Sequence, residues 1–256
     1  FKEKLDLHHI PALSNVLYSE DILFPIADFY LKKERWNEAI EVYEEMETIG
    51  ALQERGAEYY QKLGYALQKS KKYAEAIGAY LKADTLKPDN IWNNRHLAIC
   101  YRLNRNYQAA LSYYKKVEEA TPEDTNVIFH IGSCLAELGQ YEEAANYFFK
   151  LDFIESNCIK AWRGIGWCSF ISRKYEQAMK YYEKIIEQKP LAIDYMNAGH
   201  VAWTMGDIQK AAALYGKSIT ANGNRERFLE MFRKDEEALL KQGIQEEDIP
   251  LMLDLL

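Results

Sequence analysis

The chain has 256 residues, a formal net charge of −7 and 48% hydrophobic residues. No apolar run approaches the ~18 residues that a membrane-spanning helix requires, so we expect no membrane insertion by this chain. The acidic balance argues against general nucleic-acid binding, which normally needs a basic surface. These properties favour a soluble protein and exclude the membrane-spanning and charge-driven nucleic-acid-binding classes.

The segment Ala57–Asn90 has the pattern of two amphipathic helices, AEYYQKLGYALQKSKKYAEAIGAYLKADTLKPDN. Apolar residues recur at helical spacing in each half. Ser70 and the surrounding lysines separate the halves, and Pro88 ends the second one. Two helices this short cannot bury such wide apolar faces alone, so the segment predicts neighbours of the same kind.

The same residue types return in steps of 34 residues. The recurring sets are Tyr73, Tyr107, Tyr141 and Tyr175; Ala76, Ala110, Ala144 and Ala178; Tyr80, Tyr114, Phe148 and Tyr182; and Gly64, Ala98, Gly132 and Gly166. The pattern resembles the tetratricopeptide repeat (TPR) family, whose unit is a 34-residue helix-turn-helix. The small residue of the first helix and the alanine of the second let two helix axes approach closely, and the aromatic residue fills the space between units.

The resemblance implies an all-α fold: a right-handed α-solenoid of about six helix-turn-helix TPR units with a C-terminal capping helix. The units start near residues 20, 57, 91, 125, 159 and 192, so the array spans residues 20–225 as one domain. Helix N-caps are predicted at Asp89 or Asn90, at Asp124 or Thr125, and at Ser156 or Asn157.

The two ends do not follow the 34-residue pattern. Residues 1–19 are either an N-terminal cap or the remnant of an upstream repeat. Residues 226–256 are predicted to form capping helices, with one longer helix ending before Gly243 and a short apolar helix after it. These terminal helices offer a route to self-association. The chain begins with Phe, which favours a processed chain or a piece of a longer protein.

The cysteines indicate the compartment. Cys100, Cys134 and Cys168 are spaced by 34 residues, and equivalent helices of neighbouring units stand roughly 8–10 Å apart, too far for a disulfide. We expect free thiols in a reducing compartment and therefore a cytoplasmic protein.

No catalytic motif stands out. Gly164 and Gly166 form half of a dinucleotide fingerprint, but they lie within a predicted helix and no strand precedes them. His96 and His130 share one repeat position on helices that stand too far apart to bind a single ion, which argues against a metal site. We expect no enzyme activity, no cofactor and no bound metal.

The first helices of TPR units line the concave face, and repeat positions 2, 5, 9 and 12 point into it. Applied to this sequence, the resemblance implies a groove for a peptide or protein partner. The candidate groove residues are Tyr65, Trp92, Arg95, Arg102, Phe129, Lys160, Arg163, Trp167, Phe170, His200 and Trp203. Aromatic residues and arginines are typical of binding hot spots. We hypothesise a partner with apolar and acidic side chains, and we expect replacement of Arg95 and Arg163 by Glu to abolish binding without lowering the melting temperature.

The predicted function is therefore a protein–protein interaction scaffold. One alternative is a regulatory or targeting arm of a longer multidomain protein, whose catalytic or membrane part would lie upstream. The other is an enzyme complete in this chain, which the absence of a catalytic constellation disfavours. Neither the partner nor the pathway follows from the sequence.

Overall fold

A computed structural model describes residues 20–48 and 56–256. These residues form fourteen helices and no strand. The helices are α1 Glu20–Lys32, α2 Trp36–Thr48, α3 Gly56–Lys69, α4 Tyr73–Leu86, α5 Ile91–Leu103, α6 Tyr107–Ala120, α7 Thr125–Glu137, α8 Tyr141–Ile154, α9 Ile159–Ile171, α10 Tyr175–Ile186, α11 Ala192–Thr204, α12 Ile208–Asn222, α13 Arg225–Lys241 and α14 Asp248–Asp254. The predicted N-terminal cap or repeat remnant, residues 1–19, lies outside the described residues.

The helices pair as consecutive antiparallel hairpins. The described chain divides into two compact units, one ending at Thr121 and one beginning at Pro122. In the first unit, helix α1 packs on α2, α3 on α4 and α5 on α6, and α2–α3 and α4–α5 contacts join the hairpins. The second unit repeats this order from α7 to α12, and α13 then packs on α11 and α12. The predicted all-α helix-turn-helix repeat fold is confirmed, while the division into terminal segment, array and cap stays a prediction.

In four of the six hairpins, a glycine of the first helix lies directly against an aromatic ring of the second helix. A Cβ built on Gly64 would lie 2.8 Å from the Tyr80 ring, and one on Gly199 only 2.5 Å from the Tyr215 ring. Gly132 and Gly166 make the same approach to their partners' rings. These contacts leave no room for a larger side chain, because cores are packed without voids.

The turns between paired helices share one backbone conformation. One residue of each turn has a positive φ: Glu34, Lys71, Arg105, Gly139, Arg173 and Gly206, with φ between 55° and 84°. Only two of the six are glycine, the residue that adopts this region without steric cost. The four charged residues therefore carry local strain, which the packing of the hairpins on either side offsets.

The N-cap predictions are partly correct. The Asn90 side chain accepts from the backbone N–H of Asn93, at 2.9 Å, and Asp124 accepts from the backbone N–H groups of two residues at the start of α7. The prediction of a cap at Asn157 or its neighbour Ser156 is wrong. Cys158 is the N-cap of α9 and makes no side-chain cap bond, because the positive φ of Asn157, 61°, belongs to the connection before the helix.

All four cysteines are free thiols buried in the protein. Burial raises the pKa of Cys100 and of Cys168 to about 12. Since the thiolate is the reactive form, these thiols are unreactive core residues at neutral pH.

The Gly199–Tyr215 contact yields a stability test. Gly199→Ala should lower the free energy of unfolding by about 1–3 kcal/mol, because Tyr215 is fully buried and cannot move away. Gly216→Ala is the matched control: it lies in α12 with nothing near its Cβ position, and alanine should stabilise that helix by about 0.5–1 kcal/mol. Thermal unfolding followed by circular dichroism measures both, and shifts of the same sign would contradict this packing account.

Candidate functional site

Four aromatic side chains of the first unit form one continuous surface, which we call the aromatic cluster: Trp36, Tyr65, Trp92 and His96. The ring centroids of Trp36 and Tyr65 are 5.9 Å apart, those of Tyr65 and Trp92 6.1 Å, and those of Trp92 and His96 4.0 Å. Trp92 is 42% exposed, whereas Tyr80 beneath it is fully buried. The cluster therefore lies outside the core but rests directly on it.

Hydrogen bonds fix the orientation of the His96 ring. His96 Nδ1 is 2.8 Å from Gln68 Oε1, an oxygen that can only accept, so Nδ1 carries the hydrogen. The hydroxyl of Tyr80 donates to the same oxygen at 3.0 Å. Residues of α3 and α4 thus fix the tautomer and the ring plane of His96, and Trp92 contacts a ring with a defined position.

The surroundings of the cluster are positively charged. The pKa of His96 is lowered to about 4. Burial of the ring is the main cause, and the positive charges of Lys69 and Arg95 contribute to the same shift. Lys69 also lies over the Tyr65 ring, with Nζ 5.2 Å from the centroid, a cation–π contact. Arg102, on the same helix as Trp92, donates from Nε to the Tyr114 hydroxyl at 3.4 Å. Of the predicted site residues, Tyr65, Trp92 and Arg95 thus lie at one cationic, aromatic surface, whereas Arg102 contacts Tyr114.

Tyr65, Trp92, Arg95 and Arg102 are among the groove residues predicted from the sequence. Trp36 and His96 are not. Trp36 begins α2, at the turn position where the other units have Tyr or Ile. The presence of tryptophan, the largest side chain, at this turn position is the feature of the sequence that could have identified Trp36 as a site residue. His96, which was considered from the sequence only as a metal ligand, contacts the Trp92 ring and is hydrogen-bonded to Gln68.

In the second unit, the predicted cationic residues are already paired. Arg163 donates from Nε and Nη2 to the two carboxylate oxygens of Asp194, each at 2.7 Å, and Asp194 is fully buried. Lys160 lies 3.5 Å from a Glu155 carboxylate oxygen and over the Phe129 ring. The expectation that Glu at position 163 would leave stability unchanged is therefore wrong, because it would set a second carboxylate against buried Asp194.

Three further predicted groove residues are not exposed. Phe170 is 1% exposed, His200 0% and Trp203 5%. Phe232 of α13 covers the latter two, with ring centroids 5.4 Å from His200 and 6.5 Å from Trp203. The expectation that these residues line an open surface is wrong, because α13 lies on His200 and Trp203, and Phe170 packs against His200. Trp167 and Phe129 remain partly exposed.

Within the described residues, no group of three or more His, Cys, Asp or Glu side chains is arranged to hold a metal ion. In the same part of the chain, none of the helices has the length and apolar character needed to cross a bilayer.

Family models described as tetratricopeptide repeat match residues 23–55, 57–90, 102–168, 159–190 and 195–225, which together cover most of the chain. The chain belongs to the tetratricopeptide repeat family. No curated protein matches it.

Solved TPR structures share this fold. A tetratricopeptide repeat protein from Parabacteroides merdae ATCC 43184 is 19% identical, covers 92% of this chain and 97% of its own, and gives a TM-score of 0.64. YrrB, described as a TPR protein with an unusual peptide-binding site, is 21% identical over 69% of this chain and 92% of its own, with a TM-score of 0.59. MamA residues 41 to the end, from Desulfovibrio magneticus RS-1, are 18% identical over 66% and 97%, with a TM-score of 0.59. At these identities, the similarity concerns the TPR fold alone.

The Arg163–Asp194 pair gives a second stability prediction. Arg163→Gln should lower the free energy of unfolding by roughly 3 kcal/mol, because it leaves the buried Asp194 carboxylate without its cation. The double variant Arg163→Gln with Asp194→Asn removes the charge as well and should recover much of this loss. Thermal unfolding compares the two, and equal melting temperatures would show that the ion pair does not hold these TPR hairpins together.

His96 makes stability depend on pH. Because its pKa is lowered from about 6.5 to about 4, the unfolded chain takes up a proton that the folded chain excludes as the pH falls through this window. The stability contributed by neutral His96 is fully present above pH 6.5 and is lost progressively down to pH 4, by about 3 kcal/mol.

The variant His96→Gln cannot titrate and should lack this component. Melting temperatures of the two proteins, measured from pH 7.5 to pH 4, should therefore diverge between pH 6.5 and pH 4. Parallel curves over that range would exclude a lowered His96 pKa.

Proposed function

We propose that the protein is an interaction scaffold whose first unit binds a segment of another protein at the aromatic cluster. The observation that carries this proposal is the position of Trp92. It is 42% exposed although its ring contacts those of Tyr80 and His96, and the hairpin contacts in the core do not require it. Large aromatic side chains held rigidly at a surface are the commonest hot spots of protein interfaces.

The cluster offers a platform built from three different hairpins. Trp36 comes from the first, Tyr65 from the second and Trp92 with His96 from the third. Consecutive ring centroids along it are 4.0 to 6.1 Å apart. A partner segment that crosses the platform can therefore place successive apolar side chains on successive rings, as an extended or helical peptide does.

The partner's charge follows from the residues around the cluster. Lys69 and Arg95 both act on His96 with positive charge, and Arg102 lies on the same helix as Trp92. Carboxylates of a partner would meet these cations, and hydrogen bonds between charged groups are the stronger ones. We infer a partner that combines apolar residues with Asp or Glu, although the chain as a whole is acidic.

The description of YrrB as a TPR protein with a peptide-binding site agrees with a peptide-binding role for this fold. Phe129 and Trp167 of the second unit remain candidate contacts, since both are partly exposed. A scaffold that is an arm of a longer protein would use the same surface, so the proposal does not depend on the length of the natural chain.

Selection of a random peptide library on the full chain tests the proposal. We expect enriched peptides to carry an aromatic or aliphatic residue near acidic ones. Trp92→Ala should weaken a selected peptide at least tenfold, about 1.4 kcal/mol, because it removes the most exposed ring of the platform. Fluorescence anisotropy measures the dissociation constants, and added salt should raise them.

Phe153→Ala is the matched control, since Phe153 is an aromatic residue that is 88% exposed and belongs to the other unit. Its variant should bind as the native chain does. Unchanged affinity of Trp92→Ala, or an equal loss in Phe153→Ala, would contradict binding at the aromatic cluster.

A further inference from the structure

Helix α13 buries one narrow face against the second unit. Phe228, Phe232 and Leu239 are its only buried residues among seventeen, and they recur at helical spacing. Helix α11 beneath it buries eight residues of thirteen. Because apolar burial is the main stabilising contribution, detaching α13 costs much less free energy than opening a hairpin.

The residues that α13 covers are the ones at predicted binding positions. His200 and Trp203 occupy the places in α11 that are assigned to the concave face, and Phe232 lies over both. Phe170 occupies in α9 the repeat position that Trp203 occupies in α11. Its ring stacks on that of His200, with centroids 6.4 Å apart. Helix α13 thus lies where a bound segment would lie.

The end of α13 is attached one repeat back along the chain. The Arg173 guanidinium donates to the Lys241 carbonyl oxygen at 2.9 Å, and the Tyr175 hydroxyl donates to Gln242 Oε1 at 3.0 Å. Gln242 Nε2 donates to the Ile171 carbonyl oxygen at 3.3 Å. A helix stacked as the first helix of a seventh repeat would end beside the turn between α11 and α12, since each repeat contacts its neighbours. Helix α13 ends instead at the turn between α9 and α10, so it crosses this face.

One polar atom under α13 is imperfectly satisfied. His200 is fully buried, and its Nδ1 pairs with the Tyr215 hydroxyl at 2.8 Å. Its Nε2 points to Asp235 of α13 but stays 3.5 Å from the carboxylate, without a hydrogen bond. A buried nitrogen without a hydrogen bond destabilises the protein, and a carboxylate closer to His200 Nε2 would remove this cost.

We propose that α13 is an intramolecular occupant of the binding face of the second unit, and that an amphipathic helix of a partner displaces it. The displacing helix would present two aromatic residues one turn apart, followed three residues later by a carboxylate, as Phe228, Phe232 and Asp235 do. This proposal rests on the proposed function for the role of the TPR array in binding. It adds a second binding site, which α13 covers, and it specifies the side chains of the partner helix that would bind there.

The test uses the full chain and a fluorescent peptide of residues 225–242 as the competing helix. The double variant Arg173→Ala with Gln242→Ala removes the three hydrogen bonds at the end of α13 and leaves its apolar face intact. This variant should bind the peptide at least tenfold more tightly than the native chain. A peptide with Phe228→Ala and Phe232→Ala should not bind. Lys210→Ala is the matched protein control, because it removes an exposed ion pair to Glu183 within the same unit.

Hydrogen exchange of the same variant distinguishes an occupant from a structural cap. Amides of residues 225–242 should exchange faster while those of α11 and α12 keep their protection. Equal peptide affinities, no binding to either protein, or loss of protection in α11 and α12 together with α13 would overturn the proposal. So would a peptide-sensitive dimer, which would assign the face to self-association. Failure here leaves the Trp92-dependent binding of the first unit intact, so the two proposals fail separately.

Discussion

The contact between a small residue in the first helix and an aromatic ring in the second determines the rest of this structure. Gly64 with Tyr80, Gly132 with Phe148 and Gly199 with Tyr215 bring the two axes of a hairpin close together. Since this contact occupies one face of the first helix, the neighbouring face is not part of it. Residues there are free to differ between repeats, and in this chain they include most of its tryptophans.

The two units differ in whether this face of the first helices is accessible. In the first, Trp92 and its neighbours stay accessible beside Lys69 and Arg95. In the second, Phe232 of helix α13 covers His200 and Trp203, and Arg163 is paired with buried Asp194. One repeat pattern thus supports an open surface and a closed one, with different charge and different access.

The repeat pattern predicted the hairpins, because each depends on residues close in sequence whose spacing is regular. It also assigned Trp92, His200 and Trp203 to the concave face, an assignment that stays a prediction. It could not predict that two of them are covered, since equivalence within a repeat says nothing about what packs on a residue. The Arg163–Asp194 pair joins residues in two different repeats, so no pattern within a single repeat reveals it. The N-cap of α9 was also predicted wrongly, because the positive φ of Asn157 does not follow from its place in the repeat.

Fluorine NMR of the full chain labelled with 5-fluorotryptophan tests the central claim most directly, because the five tryptophans report on open and covered positions at once. With a peptide selected from the library, the resonances of Trp36 and Trp92 should shift, while that of Trp162, in the core of the second unit, should stay in place. Shifts confined to Trp162 or Trp203, with Trp36 and Trp92 unmoved, would contradict binding at the aromatic cluster.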